Sequence, residues 1–479
     1  MDDVTLDPKD WAALRASAHN MLDRALDRLE NAREGAVWTP LPDDLKHKLT
    51  AQVPRNGLSH DQLVKKLSGL LPYGVGNTHP RFFGWVHGSG NAGGVLAEVA
   101  AAAMNANLGG RDHGAIYVER QVIAWCRQIM QFPANASGLI CSGTSMATIV
   151  AVKAARDRRL GFTNRRTGND SKELVGYASD QAHSCVARAF DLLGLGSDSL
   201  RKVPCGEDFA MDLSALQSMI GADRAAGKVP FVVIGTAGAV NVGAIDDLDA
   251  VATVAAEQEL WFHVDGAFGA NGMLSEAVRP KLKGLERADS LAFDFHKWLH
   301  VNYDAGCVLM RDSDAHLRAF SERPEYLAGA ERGLAAGSPW PVDYGPELSR
   351  GFRALKIWAH LLEHGTEKLG AVITRNCEQA QYLGEAVEAT SNFELLAPVA
   401  MNIVCFRFTP AGARDLDALN NSIVVELQES GVAAPSTTRL NGQLAIRVNI
   451  TNHRTRFSDL DLLIREVDRI GSALHRDGS

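Results

Sequence analysis

Between residues 137 and 310 the chain alternates short apolar runs rich in β-branched residues with longer stretches of helical period, and no other feature constrains the fold as much. The runs cover 138–141, 174–178, 231–235, 260–264, 290–293 and 306–310, and the helical stretches between them cover 146–159, 185–193, 213–226 and 248–258. Strands that are apolar on both faces and joined by helices build a mostly parallel sheet covered on both sides. The expected class is therefore α/β.

The flanks read differently. Trp11, Leu14, Ala18, Met21, Leu22, Ala25 and Leu29 recur at three- and four-residue intervals, which predicts an amphipathic helix over 8–33. Pro40, Pro42 and Pro54 follow, so this segment is expected to wrap on the main domain or on a second subunit. Beyond residue 355 come a long helical stretch, 354–389, alternating strands at 402–408 and 443–450, and a terminal helix, as in a small α+β domain. Residues 322–346 are rich in Gly, Ala and Pro without periodicity, the texture of an active-site lid. With 479 residues to divide, the expected units are an N-terminal helical segment (1–90), a large α/β domain (91–355) and a small C-terminal domain (356–479).

Charge and cysteine usage exclude several classes. The net charge is −8 and the basic residues are scattered, so a nucleic-acid partner is not expected. The first residues are acidic where a secretory signal is basic, and no stretch reaches 18 uninterrupted apolar residues, so no membrane partner is expected either. Seven cysteines without a C-x-x-C pair suit a reducing cytoplasm and offer no metal site.

Four polar clusters fall at strand ends, where open α/β sheets bind ligands. Ser142-Gly143-Thr144-Ser145 opens a helix with small residues and free N–H groups, a cradle for phosphate, although a plain helix cap looks the same. Asp180-Gln181-Ala182-His183 offers an imidazole that could lie on a heteroaromatic ring or merely cap a helix. In His263-Val264-Asp265-Gly266-Ala267 an acid ends an apolar strand. A carboxylate about 4 Å from a pyridinium nitrogen gains on the order of 4 kcal/mol at an effective dielectric near 20. Asp294-Phe295-His296-Lys297-Trp298 closes another strand with a lysine whose pKa burial should lower, as imine formation requires.

These last two clusters, 32 residues apart from Asp265 to Lys297, resemble the group II pyridoxal-phosphate decarboxylases, the family of the aromatic-amino-acid, histidine and glutamate decarboxylases. Thr236-Ala237-Gly238 and Phe352-Arg353-Ala354-Leu355-Lys356 extend the likeness, which runs from about His79 to the C-terminal helix. The resemblance implies fold type I, with a mostly parallel seven-stranded sheet and a homodimer that shares its active sites. It makes Lys297 the imine lysine, His183 the residue stacked on the pyridoxal phosphate ring, Asp265 the partner of the ring nitrogen and Ala267 the packing on the opposite face. Gly143, Thr144, Ser145, His296 and Asp294 would hold the phosphate, and Thr236 would lie beside the ring. Asp294 departs in character, since asparagine can stand there and a carboxylate repels phosphate.

The resemblance also implies decarboxylation of an L-amino acid to the amine and carbon dioxide, with Tyr344 returning a proton to Cα. Trp85 and His87 would line the side-chain pocket and Arg447 would meet the substrate carboxylate, although either element could be structural and an arginine paired to a core carboxylate reads the same. An aldehyde synthase or carbon–carbon lyase on the same scaffold is the alternative chemistry, and a non-catalytic scaffold is a remoter one. Two other readings fail on the residues themselves. Gly143-Thr144-Ser145-Met146-Ala147 copies a serine-protease signature, but Asp265 follows the serine instead of preceding it and no matching histidine motif exists. His296 and His300 are spaced like metal ligands, but Lys297 stands where a general-base glutamate is needed.

Overall fold

Each apolar run of the first 310 residues can bury both faces, and in the computed structural model they do so side by side. It describes residues 4–169, 173–322 and 329–477. In chain order the strands are β1 (Phe82–Phe83), β2 (Ser137–Cys141), β3 (Leu174–Ser179), β4 (Leu200–Val203), β5 (Val229–Thr236), β6 (Trp261–Asp265), β7 (Ser290–Asp294), β8 (Gly306–Met310), β9 (Phe393–Leu395), β10 (Ile403–Phe408), β11 (Ala434–Leu440) and β12 (Gln443–Asn449). Seven of them form one sheet in the order β2-β8-β7-β6-β5-β3-β4. Pairing is parallel from β7 through β6, β5 and β3 to β4, and β8 alone runs antiparallel, between β2 and β7.

All six expected runs lie in this sheet. The seventh strand, β4, reads Leu-Arg-Lys-Val and gives no apolar signal, because it is an edge strand pairing only with β3. Edge strands carry charge where central ones cannot, and Arg201 is tied to Asp223 at 2.8 Å. The helix Thr144–Arg159 lies across one face with Ala147, Ala151, Ala154 and Ala155 buried. Side chains this small let the helix axis approach the sheet closely, which fixes where its N-terminus sits over the strand ends.

The second sheet has the order β1-β11-β12-β10-β9. Its first strand comes from the far end of the chain, with Phe82 opposite Ala434 and Phe83 opposite Pro435 in parallel register. A two-residue strand carries no periodicity, so the sequence did not announce it. The long helix Arg353–Glu388 is interrupted at Gly365, where φ 67° and ψ 162° replace the unbroken helix expected over 354–389. Such a conformation suits glycine, which has no Cβ to clash.

The predicted N-terminal helix forms over Trp11–Glu30, capped by Asp10, which accepts from the N–H groups of Ala12 and Ala13. It packs on the helix His60–Ser68, where Ser17 Oγ donates to Asp61 at 2.6 Å. Much of its apolar stripe stays uncovered, and Trp11 is 56% exposed. Among the described residues no helix is long and apolar enough to cross a membrane.

Candidate active site

The register of the large sheet gathers the four clusters along one edge. Ala178, two residues before Asp180, pairs with Ile234, two before Thr236; Thr236 pairs with Asp265, Asp265 with Ala292 two residues before Asp294, Asp294 with Gly306, and Gly306 with Cys141, beside which the helix Thr144–Arg159 begins. Four segments separated by up to about 150 positions thus meet because adjacent strands end in step.

At the centre is Lys297. Its Nζ lies 2.9 Å from Asp294 Oδ2, an ion pair whose acid is almost wholly buried. Burial alone would push the lysine pKa down, as the sequence led one to expect. The neighbouring carboxylates of Asp294 and Asp265 outweigh it and lift the ammonium above the ordinary lysine value. This corrects the sequence expectation, and the cause is the counter-ion three residues earlier in the same cluster.

Asp265 ends β6 fully inside the protein. Burial raises its pKa, against the pull of Lys297, His183 and the Ala267 N–H, which donates to Oδ1 at 3.2 Å. Cys185 Sγ approaches Oδ2 at 4.0 Å. His183 caps the helix Ser184–Leu192, its Nδ1 accepting from Cys185 N–H at 3.2 Å, which leaves the proton on Nε2. Burial, opposed by Asp265, lowers its pKa, so the imidazole is neutral near pH 7. The surrounding protein mass supplies that burial although the residue keeps solvent-accessible surface.

Asp294 is held on every side. Oδ1 accepts from Thr144 N–H at 2.7 Å, Oδ2 lies 3.8 Å from His296 Nε2, and the main chain bonds to Ala267 O and Asn271 Nδ2. His296 Nδ1 stands 2.9 Å from Ala305 O, and burial lowers its pKa. Thr144 Oγ1 is buried without a partner, Ser145 is exposed, and Thr236 N–H donates to Asp246 Oδ2 at 2.7 Å. Ala267 is partly buried beside Asp265.

Trp85 and His87 follow β1 and stand near each other, with ring centroids 5.9 Å apart. Trp85 is 54% exposed, whereas His87 is partly buried with Nδ1 unpartnered. Tyr303, which sequence reasoning missed, joins them: its ring centroid lies 4.4 Å from that of His296 and 6.0 Å from that of His87. Cys185 was missed as well. The signal for both was proximity, Tyr303 six residues past Lys297 and Cys185 two past His183.

Two candidates lie elsewhere. Arg447 is buried with its donors spent on Asn241 O (3.0 Å), Trp85 O (2.9 Å), Val240 O and Ser436 Oγ (3.4 Å), so it braces three segments instead of facing a cleft. Tyr344 packs on His316, with centroids 4.9 Å apart and its carbonyl accepting from His316 Nε2. His316 Nδ1 is bonded to Ser137, the opposite end of β2 from Cys141 and about 13 Å along the strand. Of the expected lid 322–346, residues 323–328 lie outside the described residues. Among the described residues no group of three or more His, Cys, Asp or Glu is placed to hold a metal ion.

A model of the pyridoxal-dependent decarboxylase conserved domain matches residues 42–409. The aromatic-L-amino-acid decarboxylase of Bacillus atrophaeus is 33% identical over 451 residues, covering 92% of each chain. The phenylacetaldehyde synthase of Arabidopsis thaliana is 28% identical over 466 residues, covering 93% of each. The crystal structure of Oryza sativa TDC with PLP and tryptamine superposes with a TM-score of 0.90 at 26% identity, over 98% of this chain and 100% of that one.

Proposed function

We propose, on the premise that this chain belongs to the pyridoxal-dependent decarboxylase family, that it converts an aromatic L-amino acid to its amine and carbon dioxide. The family makes it a pyridoxal-phosphate-dependent carboxy-lyase. The aromatic substrate is our reading, and it rests on the exposed Trp85 grouped with His87 and Tyr303 beside Lys297.

The residues present suit the cofactor. The unpartnered Thr144 Oγ1 and the N–H groups opening the helix Thr144–Arg159 would take its phosphate, with Ser145 and His296. A Cβ on Gly143 would stand 3.3 Å from His296 Cε1, a tight contact that the imidazole would have to ease, so the glycine leaves room there. Lys297 would hold it covalently, with His183 against one ring face, Ala267 against the other and Thr236 at its edge.

When bound, the cofactor accepts the electrons of the bond that releases carbon dioxide. Asp265 would keep a proton on the facing ring nitrogen, since its buried carboxylate has the Lys297 ammonium as its nearby counter-charge. The neutral His183 offers a flat face without a competing charge. Trp85, His87 and Tyr303 would orient the side chain, and orientation is where much of the rate is gained.

The observation that carries this reading is the Lys297 amine held between Asp294 and Asp265 at the ends of adjoining strands. Lys297→Ala should remove the visible absorbance of the bound cofactor together with carbon dioxide release, and a variant that keeps both would refute it. The position of Tyr344 favours keeping a second reading, an aldehyde synthase, because the acid expected to protonate Cα is not at the site in this subunit. Aldehyde, ammonia and peroxide in place of the amine would select it.

A homodimer is part of the proposal. Leu96, Val99 and Met104 on the helix Ala92–Met104 and Trp11, Leu63 and Leu67 on the N-terminal helices are all more than 40% exposed, an apolar area that a second copy would cover. Sedimentation showing an active monomer would overturn it.

A further inference from the structure

The carboxylate of Asp294 has two cationic or donor groups fixed upon it. Thr144 N–H, the first of the helix Thr144–Arg159, donates to Oδ1 at 2.7 Å, and Lys297 Nζ stands 2.9 Å from Oδ2. These are the same groups that the proposed function assigns to the cofactor, one to its phosphate and one to its aldehyde. The carboxylate has little room to withdraw. A Cβ on Gly306 would lie 2.7 Å from Oδ1 and 2.5 Å from Gly143 Cα, so backbone closes that side, while Asn271 Nδ2 and Ala267 O fix the Asp294 main chain.

We propose that Asp294 is an internal competitor for the cofactor's phosphate, holding the first N–H of the helix and the lysine amine as a charge-balanced pair that the incoming cofactor must break. This rests on the site reading above and deepens it. The cofactor-free protein is then a well-satisfied state, and the cofactor is held more loosely than an amide at the same position would hold it. The carboxylate acts on the cofactor in two ways that can be separated. It repels the phosphate, and it keeps Lys297 as an ammonium, which opposes bond formation with any aldehyde. Pyridoxal lacks the phosphate and reports only the second effect.

The test is a titration of cofactor-stripped protein with pyridoxal phosphate and with pyridoxal, following the visible absorbance, for wild type, Asp294→Asn, Asp294→Ser and Lys297→Ala. Like charges confined a few ångströms apart in a partly dry site are worth about a decade or more in affinity. The preference for pyridoxal phosphate over pyridoxal should therefore rise about tenfold in both Asp294 variants. Thermal unfolding of the stripped variants should begin at a lower temperature than for stripped wild type, because the ion pair is gone, while the loaded forms should not differ in that way. A preference that stays the same or falls in both variants overturns the proposal, and a fall makes Asp294 a phosphate ligand. Cofactor that borohydride still fixes covalently to the protein in Lys297→Ala would instead overturn the site reading, and this inference with it.

Discussion

Gly88 touches the lysine from behind. Its N–H donates to His296 O at 3.2 Å, and a Cβ built on it would stand 2.3 Å from His296 O and 2.4 Å from Lys297 O, where ordinary contact begins at 3.4 Å. Gly88→Ala must therefore push the peptide carrying Lys297 back by about 1 Å, and both obstacles are backbone, so no side-chain rotation relieves them. A displacement of that size at a reacting group costs about 10²-fold in rate, or roughly 3 kcal/mol of transition-state stabilisation. The assay is initial carbon dioxide release at saturating cofactor, with the visible absorbance recorded alongside. Gly74→Ala is the control, since Gly74 has φ −71° and nothing within 4 Å of its notional Cβ. A Gly88→Ala enzyme with unaltered absorbance and kcat/KM within about twofold of wild type would refute the claim that this contact sets the lysine's position.

Two further outcomes can be checked by equilibrium unfolding. Burial holds His263 and His316 neutral, with pKa values lowered from 6.5 to about 4. The unfolded chain takes up these protons from pH 6.5 downward while the folded chain does not, so stability is intact above pH 6.5 and drains away toward pH 4. Each histidine accounts for about 3 kcal/mol across that window. His263→Asn should flatten the slope, and a urea midpoint that is constant from pH 7.5 to 5 would contradict it. Arg447→Met leaves three main-chain carbonyls without their donor and should cost about 3 kcal/mol in urea unfolding. Unchanged stability with a large rise in KM would instead return the guanidinium to the substrate.

What could be read from the residue order was whatever depends on near neighbours. Lys297, Asp265 and Thr236 each stand at the end of an apolar run, and the rule that ligands bind beyond such ends needs no knowledge of the sheet order. Arg447 stayed open between ligand and brace because its partners come from positions 85, 240, 241 and 436, and nothing in Ala445-Ile446-Arg447-Val448 tells one from the other. The direction of the Lys297 pKa was missed for a related reason. Burial was legible in the flanking Phe293 and Trp298, but whether the Asp294 carboxylate turns toward the amine depends on the bend after β7. β1 was illegible because two residues hold no pattern, and its partner strand lies some 350 positions away.

That last pairing has a consequence for how the molecule comes into being. Residues 82–87 leave the ribosome some 350 positions ahead of their seat, a strand that begins at Ala434 and a cation at position 447. A nascent chain can complete β2 through β8, and with them the edge that bears Lys297, long before that seat exists. Trp85 and His87 must wait. The part of the protein that would choose among substrates is thus assembled last, by an early segment and a late one closing over an edge already formed, and a chain cut short near residue 430 would lack that choice altogether.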